Sequence, residues 1–129
     1  MIAYASRTGN VRYIVQKLNL PAIEITKDTV IETPFILCTY TDGLGDVPAV
    51  VQAFMEQNAT LCKGIVVSGN SNFGLDVFGL AGDKLASDYH IPLVRKIDLR
   101  GFSKDYEAIL AFYNDCVKED DYETILEVK

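Results

Sequence analysis

Short apolar runs that alternate with stretches of helical period constrain this sequence more than any other feature. The runs occupy residues 2–5, 22–25, 34–40, 64–68 and 91–99, which predicts five strands. Between them, Val11, Ile14, Val15 and Leu18 recur at a spacing that makes one apolar stripe on a helix. The same holds for Val51, Phe54, Met55 and Cys62, and for Tyr106, Ile109, Leu110, Tyr113, Cys116 and Val117. Residues 74–89 are interrupted by Gly79 and Gly82, but Phe78, Ala81 and Leu85 still share a helical face and predict one more helix. Apolar runs that alternate with helical segments indicate an α/β protein.

Strands buried on both faces of a parallel sheet read as unbroken apolar runs, whereas edge strands tolerate polar residues. Ile2 to Ala5, Phe35 to Cys38 and Ile65 to Val67 are uninterrupted, Glu24 breaks the second run, and Arg95, Lys96 and Asp98 break the fifth. The second and fifth strands are therefore expected at the edges. With right-handed crossovers, a five-stranded doubly wound parallel sheet of order 2-1-3-4-5, with helices on both faces, satisfies this. Other orders with the same edges satisfy it too. At 129 residues the chain has room for one such core and no second one. The expected organisation is a single domain over residues 1–118 and an acidic C-terminal tail over 119–129, which holds Glu119, Asp120, Asp121, Glu123 and Glu127.

Composition excludes several classes of function. A formal net charge of −6 argues against nucleic acid, which binds through positive surfaces that neutralise phosphates. No apolar stretch approaches the roughly 20 residues that cross a bilayer, so no membrane partner is expected. The first strand begins at Ile2 with no basic segment or apolar leader before it, which points to a cytoplasmic protein. Cys38, Cys62 and Cys116 are far apart and odd in number, and His90 is the single histidine; neither a disulfide framework nor a cysteine/histidine metal site is expected.

In a doubly wound sheet, ligands bind beyond the carboxyl ends of the strands at the switch point, here between the first and third strands. Three loops lie there. Ser6, Arg7, Thr8, Gly9, Asn10 and Val11 lead from the first strand into the first helix. Free N–H groups at a helix start, the helix dipole and the Ser6 and Thr8 hydroxyls form a plausible phosphate cradle, with Gly9 allowing close approach. The competing reading is an ordinary turn in which Thr8 or Asn10 caps the helix. Arg7 either adds charge to that cradle or faces water. The second loop holds Thr41, Asp42, Gly43, Leu44, Gly45, Asp46 and Val47, with Pro48 suited to the first turn of the next helix. Its glycines suit a peptide that must change orientation against a ligand, and Asp46 is expected to cap the following helix. The third loop follows Ser68 and contains Gly69, Asn70, Ser71, Asn72, Phe73 and Gly74. Phe73 either stacks on a flat ring or packs back onto the core, the commoner fate of a phenylalanine. His90, Tyr106 and Tyr113 are read as structural.

Taken together, the Ser6-to-Val11 loop, Thr39-Tyr40-Thr41 with Gly43, Gly45, Val47 and Pro48, and Ser68-Gly69-Asn70 with Gly74 resemble the NrdI family, flavodoxin-like activators of class Ib ribonucleotide reductases. The resemblance runs from residue 1 to about Val117 and extends to Ile91-Pro92 and Ser103-Lys104-Asp105. It implies FMN as cofactor, its phosphate at the first loop and its ring between the other two. The residues it assigns to the cofactor are Ser6, Arg7, Thr8, Gly9, Asn10, Val11, Tyr40, Thr41, Asp42, Gly43, Leu44, Gly45, Ser68, Gly69, Asn70, Asn72, Phe73 and Gly74. It further implies that reduced FMN turns dioxygen into superoxide for the dimanganese site of the reductase's small subunit, where a tyrosyl radical forms. A separate flavin reductant must supply the electrons. The flavin carries that chemistry, so no catalytic acid, base or nucleophile and no resident metal is expected, and the chain is an accessory protein rather than a stand-alone enzyme. Phe73, where the family often has tryptophan, and the two aspartates of the second loop depart from the pattern and bear on ring stacking and flavin potential. Two other functions fit the same fold: an electron carrier of the flavodoxin type, and a scaffold domain with no cofactor.

Overall fold

Where a strand is covered on both sides, its successive side chains enter two different cores, and this sheet shows both. In the computed structural model, which describes residues 1–118, the strands are β1 (Ile2–Tyr4), β2 (Ala22–Glu24), β3 (Phe35–Tyr40), β4 (Cys62–Gly69) and β5 (Leu93–Asp98). They form one parallel sheet in the order β2-β1-β3-β4-β5, as expected. The helices are α1 (Asn10–Leu18), α2 (Ala49–Asn58), α3 (Leu80–Tyr89) and α4 (Ser103–Phe112), the last continuing as a wider π-helical turn over Tyr113–Lys118.

Ile2, Ile36, Cys38, Val66 and Ile97 point to one face, where Val11, Ile14, Val15 and Leu18 of α1 and Ile109, Tyr113 and Val117 cover them. Their neighbours Ala3, Phe35, Leu37 and Ile65 point to the other, against Val51, Phe54 and Met55 of α2 and Leu85 of α3. Most of the residues in the helical stripes foreseen from spacing thus meet the sheet.

The edge strands behave as their polar residues require. All three residues of β2 are exposed. On β5, consecutive cations serve opposite faces: Arg95 Nε lies 2.7 Å from Asp105 Oδ1 of α4, and Lys96 Nζ lies 2.6 Å from Asp83 Oδ2 of α3. Asp105 also accepts the Phe102 N–H at 2.8 Å through Oδ2, tying the start of α4 to the sheet.

Two expectations are corrected. Cys62 was expected on the apolar face of the second helix, but it opens β4. Helix α2 stops at Asn58, whose buried side chain accepts the Ile31 N–H at 2.9 Å and donates to the carbonyls of Thr29 and Phe54; a short 3₁₀ turn, Ala59–Leu61, then leads into the strand. Phe78 precedes α3 instead of sharing its face, because Gly79, at φ 64°, is the residue that starts the helix. His90 ends α3 in the left-handed conformation, its N–H on the Ala86 carbonyl, a structural role as expected. The acidic stretch 119–129 lies outside the described residues.

Burial pushes the thiols of Cys38 and Cys62 up to about 12. At pH 8 such a thiol is only about one part in ten thousand thiolate, the reactive form. Iodoacetamide is therefore expected to label the half-buried Cys116 in the folded protein and to leave Cys38 and Cys62 unmodified until denaturant is added. Peptide mass spectrometry checks this, and labelling of all three at equal rates would contradict it.

Candidate functional site

The carboxyl ends of β1, β3, β4 and β5 open onto a cleft of about 200 Å³. Ser6, Arg7, Thr8, Asn10 and Val11 form one wall, Tyr40 and Thr41 a second, and Ser68, Gly69, Asn70 and Phe73 a third. All three loops singled out from the sequence therefore meet at one cavity. Leu99 completes the lining.

The first wall ends on the start of α1. Gly9 occupies the N-cap position at φ 93°, a conformation that disfavours any residue with a Cβ, and no side chain caps the helix there. This overturns the reading in which Thr8 or Asn10 is the cap. The first turn of α1 holds no acidic residue either. Ser6 Oγ accepts the Arg12 N–H at 3.3 Å. The positive end of the helix dipole thus opens on the cleft without a carboxylate to balance it.

Arg7 pairs with Asp42 across the two loops, and its guanidinium lies 5.2 Å from the centre of the Tyr40 ring. Its side chain stays largely exposed at the cleft wall, held by that pair. Asp42 also accepts the Gly43 N–H at 3.2 Å.

Asp46 is not the cap of α2. Its backbone exchanges hydrogen bonds with Asp42, at 2.8 and 2.7 Å, and closes a tight turn through Gly43, Leu44 and Gly45. The turn aims its side chain outward, 3.7 Å from Lys84 Nζ, while Pro48 holds the N-cap position. Gly45 sits at φ 120° with a Cβ position only 2.5 Å from Leu80 Cδ2, so this turn packs against α3 through a missing side chain.

The third loop is held from below. Asp98 accepts both the backbone N–H and the hydroxyl of Ser71. Asn72 N–H binds Asn70 Oδ1 at 2.9 Å. Phe73 stays 66% exposed at the cleft rather than returning to the core.

Gly9, Asp42, Gly43, Leu44, Gly45, Asn72 and Gly74 do not line the cavity: they shape its loops. Leu99 was missed because the fifth strand was read as running through it. It instead leaves the strand at φ 57°, with its N–H on the Gly69 carbonyl and its own carbonyl on Ser68 Oγ. The available signal was the strand order, which sets the end of β5 beside that of β4.

One atom argues that the cleft is built for a ligand. Thr41 Oγ1 is buried with no hydrogen-bond partner among the described residues. A buried unpaired hydroxyl costs about 1–3 kcal/mol, so its retention suits a hydroxyl completed by something that enters the cleft. A polar, anion-tolerant cradle with flat apolar walls fits a phosphorylated aromatic cofactor such as FMN. Thr41→Val is expected to raise the stability of the ligand-free protein by about 1 kcal/mol, a few degrees in thermal midpoint, while weakening flavin binding. Calorimetry with and without FMN checks both signs.

Comparison with known proteins agrees with this geometry. A family described as NrdI Flavodoxin like matches residues 2–111. The SPbeta prophage-derived protein NrdI of Bacillus subtilis is 43% identical over 113 residues, which cover 84% of this chain and 87% of that protein. The phage protein nrdI of Bacillus phage SPbeta matches to the same extent. A solved structure of a short-chain flavodoxin associated with a non-canonical PDU bacterial microcompartment superimposes with a TM-score of 0.66 over 95% of both chains, at 21% identity, a likeness of fold. With the family's own pattern matched from Ile2 to Ala111 and the sheet wound as a flavodoxin's, the chain belongs to the NrdI flavodoxin-like family.

Proposed function

We propose that the chain binds FMN in this cleft and activates a class Ib ribonucleotide reductase, reducing dioxygen to superoxide for assembly of the dimanganese-tyrosyl radical cofactor in the reductase's small subunit. The observation that carries the reading is the pairing, in one cleft, of a helix start that has no side chain at its N-cap and no carboxylate in its first turn with a Thr41 hydroxyl that has no partner among the described residues. Family membership gives it direction.

In this reading the N–H groups of Asn10 and Val11 and the hydroxyls of Ser6 and Thr8 hold the phosphate. Tyr40, Thr41, Phe73 and Leu99 orient the ring, and Thr41 Oγ1 gains its missing partner from it. Gly43 and Gly45 give the second loop the freedom to turn a peptide. Arg7 balances the charge of Asp42, which would otherwise oppose negative charge gathering in the cleft. Bound FMN supplies the one- and two-electron chemistry and the reaction with dioxygen. Electrons come from a separate reductant protein.

Anaerobic dithionite titration of the FMN-loaded protein, followed by oxygen in the presence of a superoxide detector, tests the reading. Rapid superoxide release, with capture of a class Ib small subunit, is the expected result. Slow reoxidation without superoxide would replace activation by simple electron carriage. A colourless protein that refuses added FMN would end both.

A further inference from the structure

The chain has four arginines, all described, and three of them have a carboxylate partner: Arg7 with Asp42, Arg12 with Glu24 and Arg95 with Asp105. Arg100 has none among the described residues. In a chain of formal net charge −6, an arginine that forms no ion pair with a described carboxylate requires a reason.

Its place supplies one. Arg100 Nε donates to Asn10 Oδ1 at 3.3 Å, and Asn10 is the first residue of α1 and part of the cleft wall. The guanidinium lies 4.5 Å from the centre of the Tyr13 ring, one turn further along α1. The Arg100 carbonyl accepts the Tyr106 hydroxyl of α4, so the backbone is held as well as the head. A guanidinium fixed by an amide oxygen, an aromatic face and a tethered backbone loses little further freedom on meeting an anion. With Oδ1 committed to Arg100, Asn10 keeps its two Nδ2 donors for other partners.

We propose that Arg100 is a specificity-determining residue that makes this cleft select the phosphorylated form of its flavin. It does so by adding a fixed positive charge beside the start of α1 and by holding the Asn10 amide with its donors available. The proposal rests on the FMN reading above, and the cleft's separate sign of a ligand, Thr41 Oγ1, belongs to a different loop. Arg100 lies far along the chain from the Ser6-to-Val11 loop it serves, 90 positions from Asn10.

The test compares two ligands that differ only in the phosphate. Dissociation constants for FMN and riboflavin are measured by flavin fluorescence quenching on the flavin-free full chain and on Arg100→Gln and Arg100→Lys, at low and moderate salt. Removing a charge-assisted contact to a phosphate is expected to weaken FMN binding by about tenfold, with riboflavin changed less than about twofold. Arg100→Lys, which keeps the charge, should recover most of the loss, and the salt dependence of FMN binding should flatten in Arg100→Gln. Equal losses for both flavins would make Arg100 a merely structural residue and overturn the proposal, as would FMN binding in Arg100→Gln indistinguishable from the parent. If the parent chain binds neither flavin, the FMN reading itself fails, an outcome distinct from failure of this inference alone.

Discussion

Thr8→Glu is expected to weaken FMN binding by about 100-fold while leaving the flavin-free protein as stable as before or slightly more so. Thr8 is exposed, lines the cleft and stands immediately before the Gly9 N-cap of α1. A carboxylate near a helix start stabilises the helix by roughly 0.3–1 kcal/mol, and no acidic residue of the first turn already takes that benefit. The same carboxylate would stand where the proposed reading puts the phosphate dianion, and repulsion at close range through partly screened surroundings is worth on the order of 2–3 kcal/mol. Affinity and stability should therefore move in opposite directions, which damage to the fold cannot produce. Fluorescence titration and thermal unfolding of the same preparation check the pair. An undiminished affinity would place the phosphate elsewhere.

The second large effect is expected at the core. Phe54 is fully buried on α2 and meets Phe35 of β3 edge to face, with ring centroids 5.5 Å apart and planes at 64°. It packs in the layer formed by Leu37, Val51, Met55 and Leu85. Phe54→Ala removes the ring, its aromatic contact and the filling of that layer together, a loss of about 4 kcal/mol. For a domain of ordinary marginal stability this is a large fraction of the total. Urea unfolding should show a much lower midpoint with an unchanged slope. Phe54→Leu, which keeps most of the volume, should cost less than half as much. A loss under about 1 kcal/mol for the alanine variant would show that the layer collapses around the gap.

These two sites also mark how far the sequence could be read. The stripe that includes Phe54 was visible because helical period and burial are local properties: every third or fourth residue of α2 must be apolar to face a sheet. The doubly covered strands were visible for the same reason, since Phe35, Ile36, Leu37 and Cys38 serve two cores in turn and leave no place for a polar residue. Where a helix stops was less legible. Nothing in the residues around Asn58 announces the end of α2, which is set by the hydrogen bonds of its side chain to Thr29 and Ile31, far back in the chain.

The candidate site divides along the same line. By itself, the sequence determined the α/β alternation, the two edge strands and the three loops that meet at the cleft, because each follows from the burial and backbone freedom of neighbouring residues. Only the tertiary structure decided that Asp46 turns away from α2 toward Lys84, that Arg7 closes on Asp42, that Leu99 joins the lining and that Arg100 reaches Asn10. Such pairings join residues as much as 90 positions apart. They depend on which strand ends the sheet order sets side by side, and no local pattern of apolar and polar residues carries that information.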